Sequence, residues 1–318
     1  MEHDASPSRE PLTLEVSSEW AGQRCDVILG VLLDLSRSQV QRAIDEGRVL
    51  IDGEPAKKST RVEEGTLLTV LPAAPIQGLE DVDSPDLRVL YHDDDVVVID
   101  KPPGIAVHSA PGWDGPTVVG ALAARGISLS HLGPAERAGV VHRLDVGTSG
   151  VMVLAVSDRA YRSLKDAFHD RTVHKVYHAL VQGYPDPSSG TIDAPIGRHP
   201  SSSWKFAVVS EGRHAVTHYD TIESFIGATL VEVILETGRT HQIRVHFQAE
   251  RHPLVGDLLY GADPTFAERL GLHRQWLHAV RLRFRHPGTG RELTVESEYA
   301  PDLRRALEIL EHFTGVSS

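Results

Sequence analysis

Residues 139–155 read G-V-V-H-R-L-D-V-G-T-S-G-V-M-V-L-A, and the interpretation of the whole chain starts from this stretch. An apolar approach leads to His142, Arg143 and Asp145, small residues follow, and a second apolar run leads away. The pattern predicts a strand, a tight loop and a second strand, with glycines adopting backbone angles that other residues avoid. Rigid elements position polar side chains at such a loop, which makes Asp145 a candidate nucleophile or general base. An isolated Asp before a glycine turn more often only caps the turn, so other parts of the chain have to decide between these roles.

Composition limits the class of protein. With 318 residues, 41% of them hydrophobic, the chain can bury a sizeable core and is expected to form two domains. Its one cysteine, Cys25, excludes a disulfide framework and indicates a reducing compartment. The N-terminus is polar and lacks the pattern of a signal peptide, and no apolar run approaches the roughly 20 residues that span a bilayer. We therefore expect a cytoplasmic protein without a membrane partner.

The charge of the chain is unevenly distributed. A formal net charge of −12 argues, taken alone, against a nucleic-acid partner. Residues 73–100, however, hold eight acidic residues and one basic residue, whereas residues 269–291 hold six arginines and no acidic residue. RNA binding depends on the local surface that meets the phosphates, so the overall charge does not exclude it.

The N-terminal region, residues 12–71, forms a candidate small α/β module. Its pattern predicts strands at residues 12–16 and 62–71, helices at residues 24–35 and 38–46, and a strand that runs into a turn at residues 48–53. Ser36 is a candidate N-cap of the second helix. Residues 72–85 are rich in proline and acidic residues and are predicted to be an extended linker.

Residues 86–312 form the predicted catalytic domain. Strands are predicted at residues 89–91, 96–99, 177–181, 215–223, 229–236 and 277–284, and a helix at residues 158–168. Long crossover helices are too few for a doubly wound parallel sheet, which favours an α+β domain with a mostly antiparallel central sheet flanked by helices. No pair of histidines has a recognised metal-binding spacing, and His174 and His178 fit one face of a strand.

Five motifs together resemble the RluA-type pseudouridine synthases, which isomerise uridine to pseudouridine within RNA. His142-Arg143-Leu144-Asp145 with the following G-T-S-G resembles the catalytic motif of that family. The accompanying motifs are K-P-P-G at residues 101–104, K-V-Y at 175–177, G-R-T-H-Q-I-R-V-H at 238–246 and G-D-L-L-Y-G at 256–261. The resemblance spans about residues 15–305, so chance is a poor explanation for it.

The resemblance implies roles for residues of the catalytic domain. Asp145 would be the catalytic carboxylate, Arg244 would keep it ionised and oriented, and Tyr177 would lie against the target uracil. Without the motifs, Arg244 reads as a surface arginine on an amphipathic helix at residues 240–247, and Tyr177 as a core residue. Lys101 is expected to brace the site. The chemistry needs neither a metal nor a redox cofactor, and the sequence does not distinguish attack of the carboxylate on the sugar from attack on the base.

Several basic residues are candidates for RNA contacts. His142 and Arg143 adjoin the catalytic carboxylate, and Arg143 would fill the space vacated by a flipped-out uridine or contact a phosphate. Arg281 and Arg283 alternate with apolar residues on one strand, which fits phosphate binding and a solvated face equally well. The N-terminal module resembles the small RNA-binding domain of a ribosomal small-subunit protein, the alpha-L motif, which makes Arg37 and Arg42 candidates as well.

The predicted function is therefore isomerisation of uridines in RNA by a monomeric enzyme, with large-subunit ribosomal RNA or its precursor particle as the substrate. The same reaction on transfer RNA is an alternative. A noncatalytic RNA-binding or ribosome-assembly factor is another, but mere binding does not need Asp145, Tyr177 and Arg244 together. A glycoside hydrolase usually requires a second catalytic acid, and no Asp or Glu is an obvious partner in these motifs.

Overall fold

A computed structural model describes most of the chain. The described residues are 12–32, 40, 43–44, 47–57, 60–71, 87–109, 113, 115–134, 137–200 and 202–314. They form two compact units: the first contains the described residues up to 71 together with Trp113, and the second contains the other described residues. Within these ranges there is no helix of the length and apolarity that crossing a membrane requires.

The first unit contains a helix and a four-stranded antiparallel sheet. Its elements are β1 (Leu12–Glu15), α1 (Cys25–Leu32), β2 (Val49–Ile51), β3 (Glu54–Pro55) and β4 (Leu67–Val70), with the strand order β1-β4-β2-β3. Ile28, Leu29 and Leu68 are fully buried between helix and sheet. The last strand is shorter than predicted because a turn with Gly65 at positive φ directly precedes it. Ser36, the predicted helix N-cap, lies outside the described residues.

A nine-stranded sheet organises the second unit. Its strands are β5 (Arg88–His92), β6 (Val96–Lys101), β7 (Ser149–Ala155), β8 (His174–Gln182), β9 (Ser189–Asp193), β12 (Val216–Phe225), β13 (Ala228–Leu235), β14 (Leu277–Arg285) and β15 (Glu292–Glu296). The order is β5-β6-β7-β14-β8-β13-β12-β9, with β15 paired to β14. β7 pairs with β14 in parallel and the other pairings are antiparallel, so the predicted α+β class is confirmed. Two further strands, β10 (Ile196–His199) and β11 (Ser202–Val208), form a separate antiparallel pair.

Helices cover both faces of this sheet. They are α2 (Val118–Ala124), α3 (Asp158–His169), α4 (Gln242–Ala249), α5 (Pro264–Arg269) and α6 (Pro301–Thr314). Because side chains alternate along each strand, Val97, Met152 and Val231 pack on one face with α2 and α4. The opposite face packs against α3 at one end of the sheet and against α5 and α6 at the other. The face under α4 also carries Tyr177, which places the site described below.

The stretch around Asp145 differs from its prediction in one respect. The loop and the strand β7 are present, but the apolar approach at Val140 and Val141 is irregular and does not form a strand. Both edges of β7 are already paired, one with β6 and the other with β14, so the sheet has no place beside β7 for another strand. Gly150 has φ 111°, and a Cβ there would collide with the carbonyl oxygen of Ala279 on β14. The glycine therefore permits the close approach of two strands at the start of β7.

Candidate active site

A cleft beside the start of β7 brings the predicted catalytic residues together. Asp145 and Arg143 come from the loop before β7, Tyr177 from β8 and Arg244 from α4, and all four line the cleft. The remaining lining residues are Leu144, Thr148, Leu235, Gly238, Arg239, Thr240, His241, Gln242, Ile243 and Leu277. Residues far apart in the sequence thus converge on one polar site beside the apolar core.

A buried lysine holds the loop that carries Asp145. The Nζ of Lys101 donates hydrogen bonds to the carbonyl oxygens of Pro102 (2.9 Å), Ile105 (3.0 Å) and Val146 (3.2 Å). Lys101 is fully buried, and this burial lowers its pKa to about 7, with Arg274 acting in the same direction and Asp145 opposing it. The contact with Val146 places the lysine directly behind the loop that carries Asp145. This is the bracing position that the sequence predicted.

Arg274 and Gln275 hold the loop from another side. Arg274 donates to the carbonyl oxygen of Gly147 at 2.8 Å and is itself fixed by two hydrogen bonds to Asp302, of 2.7 and 2.8 Å. Gln275 donates to the hydroxyl of Thr148 at 3.2 Å. The sequence counted Arg274 among the basic residues of 269–291 but gave no sign of this role, because its partner lies 127 positions earlier in the chain.

Arg244 connects Asp145 to a second carboxylate. Its Nη1 lies 3.3 Å from Oδ2 of Asp145, and its Nε and Nη2 donate to Asp257 at 2.6 and 2.8 Å. Arg244 and Asp257 are buried, with side-chain exposures of 7% and 1%. Burial alone would lower the pKa of Arg244, but the hydrogen bonds and charge of Asp257, together with Asp145, raise it. The guanidinium therefore stays charged, and it lies in the site rather than on the surface of an amphipathic helix.

A polar network fixes the start of α4, from which Arg244 projects. The side-chain oxygen of Gln242 accepts from the Thr237 hydroxyl (2.8 Å) and from the backbone N–H of Arg239 (2.9 Å). The side-chain amide of Gln242 donates to the carbonyl oxygen of Val216 at 2.9 Å. Because these partners belong to β12 and to the loop before the helix, Gln242 fixes the helix relative to the sheet.

His241 and Tyr260 complete the wall around the ion pair. His241 has a positive φ of 56°. Its Nε2 lies 3.9 Å from Oδ2 of Asp145, and its Nδ1 is hydrogen bonded to the Tyr260 hydroxyl at 2.8 Å. The ring of Tyr260 lies 4.8 Å from the guanidinium carbon of Arg244. His241 was not among the predicted site residues, although its position three residues before Arg244 in the G-R-T-H-Q-I-R motif was a usable signal.

Tyr177 lies in the cleft near Asp145. It is 7% exposed, and burial followed by the charge of Asp145 raises the pKa of its phenol, which therefore stays protonated. No hydrogen bond to its hydroxyl occurs among the described residues. The residue is thus at once part of the apolar core and part of the cleft wall.

The two residues before Leu144 differ in their surroundings. Arg143 is exposed at the mouth of the cleft, as its predicted contact with RNA requires. His142 is partly buried, stacks on Phe168 at 4.6 Å, and its Nε2 accepts the backbone N–H of Val153 at 3.1 Å. Burial, with a smaller contribution from Lys175, lowers the pKa of His142 to about 3. A neutral histidine that anchors the loop to β7 is a poor phosphate ligand, so the geometry argues against the predicted RNA contact of His142.

The predicted RNA-contact arginines of β14 lie outside the cleft. Arg281 pairs with Glu296 at 3.4 Å and with Glu232 at 3.9 Å, and Arg283 pairs with Glu292 at 3.9 Å. The predicted alternation on β14 is present, since Leu282 and Phe284 are buried, but the neighbouring strand neutralises the basic face. Arg37 and Arg42 lie outside the described residues, so their predicted contacts stay predictions. Among the described residues, no three His, Cys, Asp or Glu side chains are grouped as a metal site requires.

Comparison with known families agrees with this geometry. Residues 95–249 match the RNA pseudouridylate synthase family, and residues 23–68 match the S4 domain family. The first range contains Asp145, Tyr177 and Arg244.

Similar proteins match along most of their length. An uncharacterized RNA pseudouridine synthase of Mycobacterium bovis is 56% identical over 301 residues, which cover 94% of this chain and 97% of the relative. The ribosomal large subunit pseudouridine synthase D of Pseudomonas aeruginosa is 39% identical over 306 residues, covering 93% and 94%. The solved structure of human RNA pseudouridylate synthase domain containing 1 has a TM-score of 0.57 at 26% identity and covers 75% of this chain and 98% of that chain.

Proposed function

This chain belongs to the RNA pseudouridylate synthase family, and from that premise we propose that Asp145 is its catalytic carboxylate and large-subunit ribosomal RNA its substrate. The enzyme isomerises uridine to pseudouridine in RNA, and an S4 domain precedes its catalytic domain. Relatives named ribosomal large subunit pseudouridine synthase D, at 38–42% identity, support the choice of RNA.

The hydrogen bonds of Asp145 support its role as the catalytic carboxylate. One oxygen, Oδ2, is held by Arg244, whereas Oδ1 accepts no hydrogen bond from any described residue and is left for the substrate. Asp257, the other carboxylate of the site, already accepts both hydrogen bonds that Arg244 donates to it. One free and one occupied carboxylate fit a reaction with a single catalytic carboxylate better than a glycoside hydrolysis, which uses two.

The reaction conserves every atom of the uridine. The bond between the sugar and a ring nitrogen breaks, a bond between the same sugar carbon and a ring carbon forms, and the proton on that ring carbon leaves while the freed nitrogen gains one. A carboxylate close to both sugar and base can take part as a nucleophile or as the group that removes the carbon-bound proton. Tyr177 offers an aromatic face against which a flipped-out uracil can lie.

The deciding experiment maps pseudouridine in ribosomal and transfer RNA from cells that lack this protein and from cells in which it is restored. We expect discrete positions in large-subunit ribosomal RNA to lose pseudouridine and to regain it with the wild-type protein but not with Asp145→Asn. Asp166→Asn, an exposed residue on α3, is the matched control and should restore every position. Loss confined to transfer RNA would change the substrate, and no loss at any position would favour the noncatalytic alternative.

The same proposal includes the setting of the reaction. The enzyme acts in the cytoplasm as a monomer, with neither metal nor redox cofactor, and the first unit helps to capture the RNA. We expect full activity after dialysis against EDTA and one monomer-sized species in light scattering. Activity that requires an added metal ion, or a stable dimer, would contradict these two points.

A further inference from the structure

A basic recess adjoins the catalytic cleft. The recess is a cavity of about 390 Å³ lined by the cationic residues Arg137, Arg143 and Lys165 and by Tyr161, with no Asp or Glu among its described lining residues. Arg143 lines both the recess and the cleft, and it lies two residues before Asp145. A strand of RNA that reaches Asp145 across Arg143 therefore meets the recess.

Within the described part of the chain, no carboxylate neutralises the three cations of the recess. Arg137, Arg143 and Lys165 are exposed, and none of them forms an ion pair within the part of the chain that the structure describes. Arg281 and Arg283 on β14, by contrast, pair with carboxylates. Unpaired like charges around one cavity repel each other, and an anion that enters the cavity relieves the repulsion.

The backbone that carries these cations is well fixed. Tyr161 and Lys165 lie one turn apart on α3, whose first turn is capped by the Ser157 hydroxyl accepting the N–H of Ala160 at 3.0 Å. The loop that carries Arg137 is tied to β7, because the N–H of Ala155 donates to the carbonyl oxygen of Gly139 at 2.9 Å. A fixed arrangement of positive charges reduces the entropy that ordering would cost on binding.

We infer that this recess binds the phosphodiester backbone of RNA within a few nucleotides of the target uridine, through Arg137, Lys165 and the outer side of Arg143. This inference rests on the proposed function, since it assumes that RNA occupies the cleft. It assigns to the second unit a phosphate-binding surface on α3 and on the loop at residues 137–143, formed by residues other than those of β14.

Charge reversal tests the recess. Lys165→Glu and Arg137→Glu should each raise the KM for unmodified large-subunit ribosomal RNA about tenfold, with kcat unchanged at saturating RNA. Lys165→Ala should also reduce the slope of log KM against log salt concentration by about 0.7, the value of one contact to a single strand. Arg162→Glu is the matched control, because Arg162 is equally exposed on the same helix but does not line the recess, and it should behave as wild type.

Crosslinking locates the contact on the RNA. Lys165→Cys, labelled with a short photoreactive group, should crosslink within about three nucleotides of the uridine that becomes pseudouridine. The only other thiol, Cys25, is fully buried, so the wild-type protein is the labelling control. If Lys165→Glu and Arg137→Glu keep the wild-type KM, or if the crosslink lies far from the modified uridine, the recess does not bind the RNA backbone. The proposed function would be unaffected by either result. A wild-type enzyme that forms no pseudouridine in this RNA would overturn the proposed substrate instead.

Discussion

Two sets of arginine–carboxylate pairs in this molecule look alike in the sequence and differ in the structure. In the cleft, Arg244 forms two hydrogen bonds to Asp257 and a third to Asp145, with 7% of its side chain exposed. On β14, Arg281 reaches Glu296 with a single long contact of 3.4 Å, and both side chains are largely exposed. The first pair is buried and geometrically determined, whereas the second is a surface ion pair.

The buried arginine, Arg244, is held in place beside Asp145, whereas the charge of the surface arginine, Arg281, is only neutralised by its partner. Removing one partner of a buried pair leaves an uncompensated charge, at a typical cost of about 3–5 kcal/mol. A surface pair contributes about 0–1 kcal/mol. An arginine on the surface can still bind RNA, but only where no neighbouring carboxylate neutralises it, as in the recess around Lys165 and unlike β14.

Arg244→Ala should have the largest effect. It removes the group that holds Oδ2 of Asp145 and leaves Asp257 buried and unpaired. We expect kcat to fall about 10³-fold, the scale of losing one charge-stabilising donor in an active site, while RNA affinity changes less than about threefold. Single-turnover assays and filter binding on the same preparation measure the two quantities.

Arg244→Lys separates catalysis from folding in this experiment. It keeps a positive charge but cannot make the same paired hydrogen bonds, so it should fold better than the alanine variant and remain slow. Equal losses of kcat and RNA affinity in Arg244→Ala would mean that the arginine is a binding residue like the others, and the contrast with β14 would disappear.

Asp257→Asn should have the next largest effect. The amide keeps the volume of the carboxylate but loses its charge and one acceptor oxygen, so Arg244 is no longer held on both sides. We expect kcat to fall about 10²-fold with KM unchanged, since misplacement of an aligned group by about 1 Å costs that much. Asp257 is in this sense a positioning residue, and a change in KM alone would contradict that role.

Asp95→Asn is the matched control for Asp257→Asn. Asp95 is also buried and also accepts two hydrogen bonds from an arginine, but that arginine, Arg159, does not line the cleft, whereas Arg244 does. Thermal unfolding should show that both variants lose stability, whereas kcat should fall in Asp257→Asn alone.

The sequence predicted which arginines belong to the site and which lie on β14, but not the carboxylates that pair with them. The family motifs identified Asp145, Arg244 and Tyr177, and the alternation on β14 identified its buried and exposed faces. The contact between Arg244 and Asp257 had no signal in the sequence, because a spacing of 13 residues between a helix and a following loop does not predict contact. The strand that approaches Asp145 was predicted from two valines, and it is absent because β6 and β14 already occupy the edges of β7.

The carboxylates opposite β14 could have been found from the sequence. The segment H-P-G-T-G at residues 286–290 is a turn signal, and folding the chain there pairs Arg281 with Glu296 and Arg285 with Glu292. The register of this hairpin therefore predicts carboxylate partners for the β14 arginines, which the count of six arginines in residues 269–291 does not show. The recess had no such signal, since Arg137, Arg143 and Lys165 come from a loop and a helix with no common periodicity.

Substitutions of Tyr177 should have smaller effects on kcat and KM, and the size of the effect should depend on the residue that replaces it. Its hydroxyl has no partner among the described residues, so Tyr177→Phe should keep kcat and KM within about threefold of wild type. Tyr177→Leu removes the aromatic surface and should lose about 10- to 100-fold in kcat/KM, the scale of one base–aromatic stack. A large loss in Tyr177→Phe would instead assign a role in proton transfer to the hydroxyl.

The β14 arginines should give the smallest effect. Arg281→Ala and Arg283→Ala should each change KM for RNA less than about twofold and leave the salt dependence unchanged, since their carboxylate partners already neutralise them. Removing carboxylate partners is the stronger test, because Glu296→Gln and Glu292→Gln each neutralise one partner without deleting the arginine, while Glu232 stays 3.9 Å from Arg281. If the carboxylates are the reason that the β14 arginines do not bind RNA, the double Gln variant should bind RNA about two- to fivefold more tightly at low salt. Adding Arg281→Ala to that variant should then reverse the gain in affinity. If Arg281→Ala alone raises KM tenfold, the arginines bind RNA in spite of their partners, and pairing with a carboxylate no longer separates the two regions.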